Sequence, residues 1–183
     1  MTIILQPYAE INMENLNNNY SIIQNEVGNA KVMGVIKADA YGHGAIEIAM
    51  SLSKTKIHGF CVALIKEIIE LREHGITKPI LHLGKLSPKN LDIFDGDTLC
   101  TINSFDDIDA IQNYFIKAGI KISAHVKFDT GMGRMGFHYS QAEEVLAKIQ
   151  QCEAINLEGV YSHFSTAEET DLTFMKLQRF RFD

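Results

Sequence analysis

The feature that most constrains this chain is an alternation. Short apolar runs rich in β-branched residues lie at Val32–Ile36, Phe60–Ile65, Ile80–Leu83, Thr98–Ile102, Ile122–Phe128 and Leu157–Tyr161, and amphipathic stretches separate them. Several of these runs are apolar on both faces, which is how strands buried in a parallel sheet read. Between them, Ile46, Ala49, Met50 and Ser53 share a helical face, and Ile65, Ile68, Ile69 and Arg72 repeat the spacing up to Gly75. Ser104 with Asp107 three residues on has the form of a capping box, and Gly119 closes that helix. Ser140 with Glu143 predicts a further helix start, running to about Gln151, and Ser87-Pro88 places a cap residue before a first-turn proline. An opening strand near Ile3–Ile11 and a helix over Glu14–Glu26 precede the alternation.

Strand followed by helix, six times over, demands parallel pairing and right-handed crossovers. Two α/β architectures satisfy it, an open doubly wound sheet and a (β/α)8 TIM-type barrel. A barrel takes roughly 200 residues or more, so about six βα units in 183 residues read as a barrel without its last quarter. Residues 1–12 then form an N-terminal strand or arm, and residues 13–183 a partial barrel domain. Leu172–Phe182 is amphipathic and stops at Asp183 without a cap or a following strand, which is expected of an incomplete chain.

Composition narrows the function. With 46% hydrophobic residues the chain can bury a core. The net charge is −6 and no run of Lys or Arg exists, which argues against nucleic acid or an anionic membrane as partner. The densest basic stretch, Lys176–Arg181, is interleaved with Leu177, Gln178 and Phe180 and reads as one solvated helix face. So do Glu143 with Glu144, and Lys66-Glu67, Glu70 and Arg72-Glu73. Cys61, Cys100 and Cys152 are far apart and odd in number, as in a reducing compartment, and Cys61 and Cys100 sit in apolar runs that suit packing. No segment approaches ~18 consecutive apolar residues, and Met1–Glu10 has no basic leader, so a cytoplasmic protein is expected. The seven histidines form no H-x-x-x-H and no cluster with cysteine, so no metal site is expected.

Three segments carry groups that could do chemistry. In Val35–Gly44 an apolar strand ends in Lys37, and a loop with Gly42 and Gly44 comes after it. Catalytic groups of barrels sit at the C-terminal strand ends, where burial or a nearby cation makes a lysine amine nucleophilic; the competing reading is a strand-end lysine facing water. In Lys127–Phe137, Gly131, Gly133 and Gly136 spell G-x-G-x-x-G. A dinucleotide fingerprint must open a helix directly, whereas the expected helix starts only at Ser140. The segment therefore reads as a strand-end loop presenting Arg134, either to a carboxylate or phenolic oxygen or merely to Asp129. In Val160–Ser165, His163 ends another strand, to stack on a flat ring or tune a proton, or simply as a satisfied interior histidine.

Together these segments resemble the alanine racemase family of pyridoxal phosphate (PLP) enzymes. VIKADAYGHG resembles that family's PLP-lysine signature, HVKFDTGMGRMGF and LEGVYSHFSTAEE match two further family segments in the same order, PYAEINMENLNNNYSII resembles the family's start, and ALIKEIIELREHGI is a looser match. The resemblance runs from about Pro7 to the last residue. It implies that Lys37 holds PLP and acts as the base on one face of the substrate Cα, and that Tyr41 reaches the PLP phosphate. It implies that Arg134 contacts the PLP phenolic oxygen and the substrate carboxylate, that Lys127 matches a position often carbamylated to hold Arg134, and that His163 lies beside the pyridine ring. The implied activity is interconversion of L- and D-alanine for peptidoglycan by a homodimer. In the family the second acid/base group is a tyrosine from a C-terminal β domain of the partner subunit, and neither that domain nor the last two barrel strands is found in these residues. A chain of this extent is then expected to be inactive by itself. The alternatives are a non-catalytic PLP-carrying barrel, which would keep Lys37, and a plain α/β binding module without PLP.

Overall fold

The computed structural model describes residues 8–183, which fall into two compact units, one up to Ile80 and one from Leu81 to Asp183. In the first unit, helix α1 (Met13–Val27) starts where the Asn12 side chain accepts a hydrogen bond from the Asn15 N–H, 2.9 Å away. Strand β1 (Met33–Val35) pairs in parallel with β2 (Gly59–Val62), matching Val35 with Cys61. Between them lie a short turn of helix, α2 (Lys37–Gly42), and α3 (Ala45–Ser53); α4 (Ile65–Glu73) comes after β2. The core of the unit is built from Ile48, Ala49, Leu52, Ile57, Phe60, Val62, Ile68 and Leu71. The buried stripes differ by a notch from those the spacing suggests: Met50 is 50% exposed and Ile69 44%, while Leu52 and Leu71 face inward. Both helices carry more apolar residues than one face holds, and only tertiary packing selects among overlapping stripes.

Strand β3 (Ile80–His82) leads into the second unit, which continues through a 3-10 helix over Pro88–Ile93, β4 (Thr98–Ile102), α5 (Phe105–Ala118), β5 (Ile122–Asp129), β6 (Phe137–His138), α6 (Ala142–Gln150), β7 (Ile155–Tyr161) and α7 (Thr173–Phe182). β4, β5 and β7 run parallel, with Ile102 opposite Val126 and Lys127 opposite Tyr161. α5 has the predicted ends: the Ser104 hydroxyl accepts from the Asp107 N–H, Asp107 accepts from the Ser104 N–H, and Gly119 closes the helix at φ 70°. Three expectations need correction. Tyr8–Ile11 forms no strand, and the rest of the predicted opening strand lies outside the described residues. The predicted run Phe60–Ile65 stops as strand at Val62, because Leu64 already caps α4. Ser140 does not cap α6; it sits in a 3-10 turn over Tyr139–Gln141, bonded to His138 Nδ1 at 2.7 Å, and the helix starts at Ala142. The short strand β6 occupies the chain just before it, so the helix start moves on by one residue. Among the described residues no helix is long and apolar enough to cross a membrane.

Candidate active site

Lys37 stands two residues beyond the last residue of β1, after Ile36, whose N–H donates to the Cys61 carbonyl at 3.0 Å and so continues the pairing with β2. The backbone immediately beyond Lys37 takes a form that no residue type in it announces. Ala38, Asp39, Ala40 and Tyr41 all lie at φ 50–57° and ψ 35–52°, so that the middle of α2 is a left-handed turn made without glycine. Each such residue costs roughly 1–2 kcal/mol, because Cβ crowds the next carbonyl. The structure therefore stores of the order of 4–8 kcal/mol directly after Lys37. Runs of this kind persist only where the surroundings over-determine them. Two carboxylates do this. Glu67 Oε1 accepts from the Ala38 N–H at 2.6 Å, while its Oε2 accepts from the Ala63 and Leu64 N–H groups at 2.8 and 2.9 Å. Asp39 Oδ1 accepts from the Ala45 N–H at 2.7 Å, at the start of α3. The result sets the Lys37 ammonium 5.8 Å from the centre of the Tyr41 ring, within cation–π range. Glu67 is thus not part of a solvated face. Nor is Arg72, whose Nη1 donates to the Ile76 and Lys78 carbonyls at 2.6 and 2.8 Å.

The second unit carries Lys127, Arg134 and His163, all at or just past the C-terminal ends of the adjacent parallel strands β5 and β7. Lys127 is buried (5% exposed), with its Nζ 5.8 Å from the centre of the Tyr161 ring. Thr101 Oγ1 donates its one proton to the His82 carbonyl at 2.7 Å, so at 3.0 Å the Tyr161 hydroxyl is the donor to Thr101. The ring beneath Lys127 is held in one orientation. Arg134 is exposed, in a loop wound around Asp129: the carboxylate accepts from Gly131 N–H at 2.9 Å and from Gly133 N–H at 2.9 and 3.1 Å. Burial raises the Asp129 pKa, but the N–H groups of Gly131, Gly133, Met132 and Arg134 outweigh it and hold the acid below its ordinary range. Asp129 thus binds the loop's backbone, and the ion pairs found among the described residues, Lys148–Asp109 and Arg179–Asp183, do not involve Arg134. Gly136, at φ 107°, returns the loop to the strand so closely that a Cβ would lie 2.7 Å from the Lys127 carbonyl oxygen.

His163 is exposed, beside a cleft of about 250 Å³ bordered by Tyr161, Phe164, Gln178 and Phe182. The stretch Lys176–Arg181 is only in part the solvated face that its charges suggest. Lys176 and Arg179 face water, but Gln178 is wholly buried, and Arg181 Nη1 donates to the Thr130 carbonyl at 2.8 Å with its guanidinium 4.9 Å from the Tyr139 ring centre. The sequence signal was a polar residue between Leu177 and Phe180, easily read as surface. Cys61 and Cys100 are buried, and burial pushes their thiols up to about 11 and about 12. Among the described residues no three His, Cys, Asp or Glu side chains gather as a metal ion would need.

The sequence model of the alanine racemase N-terminal domain matches residues 11–183. The chain belongs to the alanine racemase family. It is 39% identical to an alanine racemase of Carboxydothermus hydrogenoformans over 179 residues, 96% of this chain and 48% of the relative. A solved alanine racemase of Clostridium difficile 630 superposes with a TM-score of 0.89 at 38% identity, covering 99% of this chain and 48% of that one. The chain spans about half the length of the alanine racemases it matches. A histidine racemase of Leuconostoc mesenteroides, at 21% identity and TM-score 0.86, shares the fold alone. The architecture is accordingly the α/β one expected, parallel strands alternating with helices as in the first part of a (β/α)8 barrel.

Proposed function

We propose that this chain is the PLP-binding part of an amino-acid racemase that interconverts L- and D-alanine, working in the cytoplasm as a homodimer and supplying D-alanine for peptidoglycan. The observation that carries the reading is Lys37: an amine presented at a strand end, succeeded at once by a strained left-handed turn, inside the segment that resembles the family's PLP-lysine signature. The donor set suits the cofactor. PLP needs one amine to anchor it, hydrogen-bond donors for its phosphate and a cation for its phenolic oxygen. Lys37 would anchor it, Tyr41 would donate to the phosphate, Arg134 would meet the phenolic oxygen and the substrate carboxylate, and His163 would lie beside the ring. When bound, PLP supplies an electron sink for the carbanion at the substrate Cα.

The chain's own residues have separable tasks. Lys37 Nζ takes the Cα proton on one face and returns it there in the reverse direction. The proton on the opposite face needs a second group, the tyrosine that the family carries in its C-terminal β domain. Arg134, a planar two-pronged donor, orients the substrate carboxylate and so decides which bond at Cα faces the base. Lys127, if carbamylated, would carry a negative charge able to hold Arg134. The test is to mix the full-length protein, including the C-terminal β domain that would supply the second group, with PLP, record the visible band, reduce with borohydride and map the modified peptide. An adduct on Lys37 that Lys37→Ala abolishes, with loss of optical rotation from L-alanine at least ~10³-fold slower in the variant, is expected. An adduct on another lysine would defeat the assignment, and an adduct on Lys37 without racemisation would leave the non-catalytic carrier.

A further inference from the structure

We propose that Gln178 is a positioning residue for the site, its side-chain amide holding the strand-end segments that bear His163 and Arg134 at fixed separation. The inference rests on the proposed function in taking those two residues as site groups. Helix α7 is anchored in an unusual way: Gln178, at 0% exposure, is its one buried residue, while Phe180 is 80% exposed and Leu177 40%. Burial of a primary amide is unfavourable unless its hydrogen bonds are made. Here all four are. Gln178 Nε2 donates to the His163 carbonyl at 2.9 Å and to Thr130 Oγ1 at 3.3 Å; Oε1 accepts from the Ser165 N–H at 2.9 Å and from the Ser165 hydroxyl at 3.1 Å. Two donors and two acceptor sites are the whole capacity of the group.

The place of these bonds gives them a purpose. The parallel ladder between β5 and β7 ends with Lys127 opposite Tyr161. Beyond it the two chains carry Thr130, leading into the Arg134 loop, and Ser162–Ser165, around His163. The Thr130–Ser162 hydroxyl pair at 2.8 Å and the Gln178 amide both cross this opening. The amide grips the backbone on both sides of residue 164, through the His163 carbonyl and the Ser165 N–H. With apolar Val160, Phe164 and Phe182 around the adjacent cleft, these bonds are little competed for by water. A side chain there must present a donor and an acceptor at once, which glutamine does and an ionised glutamate does not.

That difference supplies the experiment. In Gln178→Glu the carboxyl, when protonated, donates to the His163 carbonyl and accepts from Ser165; when ionised, it faces that carbonyl with no proton. Burial favours the protonated form, so the native contacts hold at low pH and are lost as pH rises through the raised pKa of the folded state. The charged and titratable groups nearby include Arg179 and Arg181 on α7, Tyr139 under Arg181, Asp129 beside Thr130 on the β5 side, and Tyr161 and His163 on the β7 side. Gln178→Met leaves them all in place, so it sets the pH baseline. Hydrogen exchange is read without PLP on segments 130–134 and 162–166, each rate relative to wild type at the same pH, and PLP affinity is measured in parallel. For Gln178→Glu we expect near-wild-type protection at pH 5.5 and about tenfold faster exchange of both segments at pH 8. PLP affinity should weaken over the same range, while Gln178→Met is impaired equally at both. Equal exchange of Gln178→Glu and wild type at pH 8, a loss spread evenly over the chain, or the same deficit for Gln178→Glu at both pH values would each overturn the proposal. Failure of wild type to take PLP on Lys37 would defeat the functional reading alone, since the exchange result stands without cofactor.

Discussion

Ala38 carries the clearest residue-level consequence of the site's construction. It is exposed, sits at φ 51°, and its Cβ gains no burial in return. Glycine enters this conformation without the steric cost of roughly 1–2 kcal/mol, at the expense of about 0.4–1 kcal/mol of extra unfolded-state entropy. Ala38→Gly is therefore expected to stabilise the protein by about 0.5–1 kcal/mol in urea titrations. A destabilised variant would mean that the left-handed turn is not strained. Asp129 gives the complementary case. Its acid is held below the ordinary range by the loop's N–H groups, against burial, so its folded pKa is depressed. Such a group contributes stability that is present above the unfolded value near ~3.9 and lost as pH falls through the folded value. Asp129→Asn should cost about 1 kcal/mol at pH 7, and the gap from wild type should narrow below about pH 4. A gap that does not change with pH would refute the charge's part in winding the Arg134 loop.

Helix ends show where sequence reasoning reached and where it stopped. Ser104, Asp107 and Gly119 were legible because a cap is a local transaction: the donors, acceptors and left-handed glycine all lie within the helix or at its two ends. Ser140 and Glu143 carry the same signal, but β6 pairing at Phe137–His138 and the His138–Ser140 bond commit that stretch to a 3-10 turn first. Ser104→Ala is thus expected to cost about 1 kcal/mol and Ser140→Ala less than about 0.5 kcal/mol, as for an exposed surface site, both by thermal denaturation. Equal costs would mean that Ser140 caps after all. Lys37, Arg134 and His163 were legible as candidates because they end apolar runs or stand in the loops just past them. The four-residue left-handed turn was not, since Ala-Asp-Ala-Tyr has no glycine to announce it; what imposes it is Glu67, 29 residues beyond Ala38, from another element. Gln178 was hidden for the same reason: its partners Thr130 and His163 lie 48 and 15 residues away.

At the scale of the whole molecule the cysteines divide the chain usefully. Cys61 lies in β2 of the first unit and Cys100 in β4 of the second, both buried, while Cys152 is half-buried just past the end of α6, its thiol donating to Gln112 Oε1 at 3.0 Å. Alkylation proceeds through the thiolate. At pH 8 a thiol at about 11 is ionised to only ~10⁻³ and one at about 12 to ~10⁻⁴, against roughly a quarter for an ordinary cysteine at ~8.5. Ionisation alone thus slows Cys61 by about 200-fold and Cys100 by about 2,000-fold relative to an ordinary thiol, and steric closure slows them further. Native protein treated with iodoacetamide at pH 8 should carry one label, on Cys152. Cys61 and Cys100 should react only with urea, through opening of the unit that buries each, so their rates report the stability of the two units separately. Rapid labelling of Cys61 in buffer would show that β2 is not closed over its thiol. It would also mean that the pairing which continues to Ile36, and brings Lys37 to the strand end, is looser than the hydrogen bond to the Cys61 carbonyl requires.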